Sequence, residues 1–224
     1  MPAPHPGIRT RRRFAAWIAA AGMLAFALPA AQAQTAASAD QLIADLKKGG
    51  LVIYFRHGDT GAQYADREKA VMGDCATQRN LNADGREQVA QLGRDFKALH
   101  IPVGKVLSSE FCRGWQHAEA MFGKGGYTVT ADLSVPLSYP GVSEADRALN
   151  NTRINRLLSE VPPAGRNTVL VSHGVNVLLA AGYHPNTQGE AVIFRPQGQG
   201  RYTRLGSVLP GDWTRVAGAG AAKR

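Results

Sequence analysis

Cysteine is nearly absent: Cys75 and Cys112 are the only two in 224 residues. No Cys/His cluster stands at metal-ligand spacing, which excludes a zinc module and leaves no metal or cofactor expected. No apolar run is long enough to cross a bilayer comfortably, since that takes about 20 residues and the longest, Phe14–Leu28, falls short. No cysteine closes that run, so a lipoprotein anchor is not expected, and an uncleaved anchor is the alternative to a cleaved signal. Aromatics make up 7% of the chain, and no basic stripe interleaved with them appears, so a nucleic-acid module is not expected. Acidic residues are scarce, 17 against 26 Lys and Arg, for a formal charge of +9. No internal repeat occurs, and the one low-complexity stretch is the Ala/Gly-rich tail 217–224, expected to be disordered.

The first 33 residues read as an export signal rather than as fold. Arg9, Arg11, Arg12 and Arg13 form a basic region, Phe14–Leu28 an apolar one, and Ala31-Gln32-Ala33 a small-residue cleavage site. Thr10-Arg11-Arg12-Arg13-Phe14 also looks like a twin-arginine signal. The expected product is periplasmic or secreted, without stable membrane insertion, and runs from Gln34 as one domain to residue 216. Four arginines and no acid leave with the signal, taking the charge from +9 to +5, a surplus suited to attracting small phosphorylated substrates. In an exported chain the two cysteines suggest a disulfide; free buried thiols are the alternative.

Strand and helix signals alternate along this domain. Ser38 caps a short helix, and Leu51–Phe55 is an unbroken apolar run of the kind a doubly covered sheet requires. A polar loop, Gly58–Arg79, precedes a helix capped by Asn82. Strands are expected at Lys105–Ser108, Tyr127–Thr130, Thr168–Val171, Ala191–Phe194 and Tyr202–Val208. Helices are expected over Phe111–Phe122, Ser143–Val161 and Val175–Ala181. The pattern implies an α/β fold with a largely parallel sheet and helices on both faces.

Two strands end in histidines. LVIYF runs into Arg56-His57-Gly58, and NTVLVS into His173-Gly174. Side chains at the carboxyl ends of strands in open α/β sheets converge on one crevice. A nucleophilic imidazole, a second imidazole and fixed arginine charge are what phosphoryl transfer needs, because a phosphate monoester carries close to two negative charges.

With RHGDT, SSEFCRGWQHA from Ser108 to Ala118, and VSHGVN placed, the chain resembles the histidine phosphatase superfamily, branch one, in its compact exported form. The resemblance implies a three-layer α/β/α sandwich and a metal-independent phosphatase working through a phosphohistidine. It assigns His57 as nucleophile and Arg56, Arg113 and His173 as its partners, with Gly174 and Asn176 beside the phosphate. Two other readings are a non-catalytic periplasmic binder of phosphorylated ligands and a phosphomutase.

The acid that protonates the leaving oxygen has no clear match. Glu190, opening the strand after the second histidine, is the first choice; Glu110 and Asp59 follow. Glu144 reads as a capping carboxylate. Asp59 is expected to hold the RHG turn by local bonds. His117, one turn after Arg113, is expected to be a solvated helix histidine, with a place facing the pocket as the alternative, and His100 and His184 carry no motif. Specificity is expected to reside in Gly58–Arg79 and Leu133–Val142.

Overall fold

The computed structural model describes Met1 and residues 37–61, 70–134 and 141–221. The signal expectation therefore lies outside the described residues, as do parts of both specificity loops, 62–69 and 135–140. The chain divides into Met1–Gln34 and Thr35–Arg224, and every described residue except Met1 belongs to the second unit.

That unit is an α/β protein. In chain order its elements are α1 (Ala39–Leu46), β1 (Val52–Arg56), α2 (Ala83–Ala98), β2 (Val103–Ser108), α3 (Cys112–Phe122), β3 (Thr128–Val129), α4 (Glu144–Ser159), β4 (Asn167–Ser172), α5 (Gly174–Ala181), β5 (Ala191–Pro196), β6 (Tyr202–Val208) and α6 (Pro210–Ala221). One six-stranded sheet has the order β3-β2-β4-β1-β5-β6. β3, β2, β4 and β1 run parallel, while β5 and β6 return antiparallel on the far edge.

The alternation of side chains along β1 makes the two cores. Ile53 and Phe55 face one layer with Leu42, Leu92, Phe96 and Trp213, while Val52 and Tyr54 face the other with Ile154, Leu157 and Val177. Both faces are covered, so the strand reads as continuous apolar sequence. Caps fall where the sequence places them: Ser38, Asn82 and Ser143 accept backbone N–H groups of their first turns, and Glu144 opens α4.

Two expectations fail. Residues 217–221 are not a disordered tail but the end of α6. Glycine weakens this helix and alanine adds little packing; Trp213, fully buried against Phe96 at 4.7 Å between ring centroids, holds the helix on the core with Val216 and Ala217. His117 is not solvated. It is fully buried, packs on Phe55 at 5.2 Å, and its Nε2 lies 3.1 Å from Met121 Sδ. The α3 face that carries it turns into the core, because Ala118 and Met121 share it. Among the described residues no helix is long and apolar enough to cross a membrane.

Candidate active site

Parallel pairing sets the site. β1 and β4 run in register from Val52↔Thr168 to Arg56↔Ser172, so the residues that follow, His57 and His173, emerge side by side. The ladder continues past the strands: His57 N donates to Ser172 O at 2.9 Å, and Ser109 N to Val171 O at 3.0 Å. The two imidazoles lie 5.3 Å apart, edge to face, with exposures of 3% and 4%.

His57 is presented in one tautomer. Its Nδ1 lies 2.8 Å from the Gly58 carbonyl, which can only accept, so Nδ1 carries the proton and Nε2 keeps its lone pair. The turn that provides this carbonyl rests on α2, where Asn82 Nδ2 donates to Asp59 Oδ2 and a Cβ on Gly85 would stand 2.0 Å from Asp59 O. Only glycine permits that approach. Asp59 also accepts from Gly61 N, and these bonds hold its carboxyl below the usual range. It braces the turn, as expected.

His173 is fixed on both sides. Its Nε2 is 2.8 Å from Ser109 Oγ, its carbonyl accepts Tyr54 Oη–H at 2.8 Å, and the Phe111 ring meets it edge-on at 5.0 Å. Arg113, on the first turn of α3, is 3% exposed and lies 4.4 Å above the same Phe111 ring. Its Nη1 donates to Arg79 O at 3.2 Å. Arg56 is half-buried and its Nη1 donates to Pro185 O and Asn186 O, so one edge of its guanidinium is spent on orientation.

The charge pattern follows from this packing. Burial pushes both histidines well below their ordinary pKa; the Arg113 charge is the next cause for each, and Arg56 and Arg79 act in the same direction. Neutral imidazoles among cations favour an anion, which removes the repulsion. Arg79 was not singled out as a site residue from the sequence, yet its field reaches His57, His173 and Arg56. A signal existed: Cys75 and Cys112 form a disulfide, Cα–Cα 5.7 Å, which brings the loop carrying Arg79 beside Arg113. Ser109 was missed too, and only the strand register discloses it.

Three expected contributors stand elsewhere. Glu190 is 2% exposed, and its oxygens accept from Tyr183 Oη (2.7 Å) and Thr187 N (3.2 Å). With both oxygens taken, it braces the 183–190 loop whose carbonyls grip Arg56. The arrangement argues against a proton-donor role. Asn176 is fully buried and its Nδ2 donates to Asn150 Oδ1 and Ser134 O, tying α5 to α4 rather than reaching toward an anion beside His173. Gly174 stands next to the pair, where a Cβ would lie 2.9 Å from His184 Nε2. Glu110 is half-buried, and its Oε2 accepts Ser134 Oγ–H at 2.8 Å.

The model of the histidine phosphatase superfamily (branch 1) matches residues 52–134, which include His57 and Arg113 and stop short of His173. No curated protein is similar enough to this chain to count as a match. Among solved structures, the protein histidine phosphatase SixA complexed with tungstate is 18% identical, covering 72% of this chain and 98% of its own, with a TM-score of 0.50. A phosphoserine phosphatase variant from Entamoeba histolytica in complex with phosphoserine is 14% identical, covering 72% and 98%, with a TM-score of 0.51. At such identities these likenesses speak for the fold. Over residues 52–134 the chain is similar to branch 1 of the histidine phosphatase superfamily, and its fold is like that of these solved phosphatases.

Proposed function

We propose that the protein is an exported, metal-independent phosphatase that hydrolyses a phosphomonoester through a phosphohistidine on His57. The observation that carries this reading is the tautomer of His57. Its Nδ1–H is committed to Gly58 O, which leaves the Nε2 lone pair as an in-line nucleophile, and burial among arginines keeps the ring unprotonated.

In this reading Arg113 and the free edge of Arg56 take the non-bridging oxygens as planar forks, and Arg79 adds charge from the disulfide-anchored loop. His173, positioned by Ser109, donates to an equatorial oxygen as negative charge moves there. Attack by His57 Nε2 on phosphorus breaks the bond to the ester oxygen, which takes a proton from solvent and leaves as the alcohol. Water then attacks the phosphohistidine and releases phosphate with His57 restored. The disulfide Cys75–Cys112 and the signal-like residues 1–33 support an oxidising compartment outside the cytosol.

Rapid alkaline quench of the full chain turning over a radiolabelled aryl phosphate tests the reading. The expected result is label on His57, stable to base and labile to acid. Label on another residue, or turnover abolished by a chelator and restored by a divalent ion, would overturn it.

A further inference from the structure

A cleft of about 410 Å³ is lined by Met72, Gly73, Glu110, Trp115, Tyr127 and Val129. Its connection to the site is covalent and short. Glu110 stands between Ser109, which is bonded to His173, and Phe111, whose ring touches His173 and lies beneath Arg113. The opposite wall, Met72-Gly73, belongs to the loop that Cys75 ties to Cys112 at the start of α3.

The lining is mostly soft and apolar: an indole, a phenol ring, a thioether and valine methyls. Met72 and Val129 are 37% and 46% exposed, so the cleft is open to an incoming group. The Tyr127 hydroxyl is spent on Glu119 Oε2 at 2.8 Å. Glu110 keeps Oε1 without a hydrogen-bond partner among the described residues, while Ser134 holds Oε2. Glu110 is thus the one formally charged residue among the described lining residues, in a chain of net positive charge.

We propose that this cleft receives the alcohol half of the phosphomonoester and selects one bearing a positively charged amine; the proposal rests on the phosphatase reading above. A second phosphate or a carboxylate in the leaving group would meet Glu110 and find no cation among the described lining residues. A sugar would need several hydrogen-bonding groups where the walls offer rings and methyls. An alkylammonium group gains both the carboxylate and the faces of Trp115 and Tyr127. An ammonium close to the ester oxygen also makes that oxygen a better leaving group, which suits a site where Asp59 and Glu190 are bound up in structural bonds.

The test uses the full chain and the pair choline and 3,3-dimethylbutan-1-ol, its uncharged carbon isostere. Calorimetric titration should show saturable choline binding, about tenfold tighter than the isostere. Trp115→Leu should abolish it, and Glu110→Gln should bring the two ligands within about twofold. In turnover, kcat/KM for phosphocholine should exceed that for 3,3-dimethylbutyl phosphate by a similar factor, and the ratio should collapse in Glu110→Gln. p-Nitrophenyl phosphate serves as the reference substrate. If the enzyme hydrolyses it but shows no charge preference in binding or turnover, the cleft proposal fails alone. If choline binds selectively and no ester is turned over, the phosphatase reading fails and the cleft stands. Tighter binding of the isostere, or saturable binding of neither ligand, overturns the proposal.

Discussion

Two regions of this molecule bury histidines, and they use the same physics to different ends. At the crevice, His57 and His173 sit past the ends of β1 and β4 with arginines around them. In the core, His117 lies under Phe55 with a thioether for company, and its Nδ1 has no hydrogen-bond partner among the described residues. Burial lowers the pKa of all three. For His117 it is the sole cause and brings the value to about 3; for the crevice pair, arginine charges add to it. A depressed histidine pKa therefore does not mark a functional residue. What separates the regions is what surrounds the ring: arginine charges and a bonded carbonyl at His57, a thioether and aromatic carbon at His117.

The sharpest break of this comparison is a pair of substitutions. His57→Ala should lower turnover by several orders of magnitude, since no other group replaces the nucleophile. His117→Leu should leave turnover within about twofold and raise stability, because it removes an unpaired buried nitrogen worth about 1–3 kcal/mol. The gain should grow in acid. The folded pKa of about 3 lies below the unfolded value near 6.5, so the unfolded chain binds the proton first. Native stability is then complete above pH 6.5 and lost at about 1.4 kcal/mol per unit as pH falls toward 3. Urea unfolding at pH 7 and pH 5.5 should show the gap between variant and parent widen by about that amount. A constant gap would mean that His117 takes up its proton in the fold as readily as in the unfolded chain.

The disulfide comes next. It closes the chain from Cys75 to Cys112, for which the chain-entropy model gives about 4 kcal/mol. Reduction should lower stability by an amount of that order. It should also raise KM, because the tether holds the Arg79 loop beside Arg113, whereas the core around His117 gains nothing from it. Loss of stability with KM unchanged would detach Arg79 from the site.

How far the sequence disclosed these regions follows from what each depends on. The crevice pair was legible because strand-forming runs stop at His57 and His173, and parallel strands deliver their ends to one place. His117 was misread because α3 is amphipathic on both sides of that residue: Arg113 and Trp115 look outward in pattern, and only packing against Phe55 shows where position 117 turns. α6 was missed because its stability is tertiary, set by Trp213. Arg79 depends on the disulfide, and Glu190 on the path of a turn-rich loop. Neither is encoded in a local period.

Arg79→Gln probes the edge of the crevice with a smaller effect. The guanidinium is half-exposed and solvent-screened, so its loss should raise KM for a phosphate ester about tenfold, with less change in kcat. Since the Arg79 charge depresses His57 and His173, both rings should titrate at higher pH in the variant, read by NMR of the ligand-free protein. The His117 titration should stay where it is. A shift at His117 would show that the field is not confined to the crevice.

Among the crevice residues the smallest catalytic effect is expected at Glu190, and it separates bracing from proton transfer. An acid that protonates the leaving oxygen matters far more for an alkyl ester than for p-nitrophenyl phosphate, and its loss costs about a hundredfold or more on the poor leaving group. A brace acts on Arg56 and treats all esters alike. Glu190 has the bonds of a brace: Tyr183 Oη and Thr187 N occupy its oxygens, its backbone carbonyl accepts Arg56 N at 3.0 Å, and Pro185 and Asn186 in the same loop hold the Arg56 guanidinium. Glutamine can still accept from one of the two partners but carries no charge toward Arg56. Glu190→Gln should therefore cost about 1–3 kcal/mol of stability and slow both esters equally, by about threefold or less. A hundredfold loss confined to the alkyl ester would return Glu190 to the mechanism and make its bonds to Tyr183 and Thr187 a resting arrangement that substrate displaces.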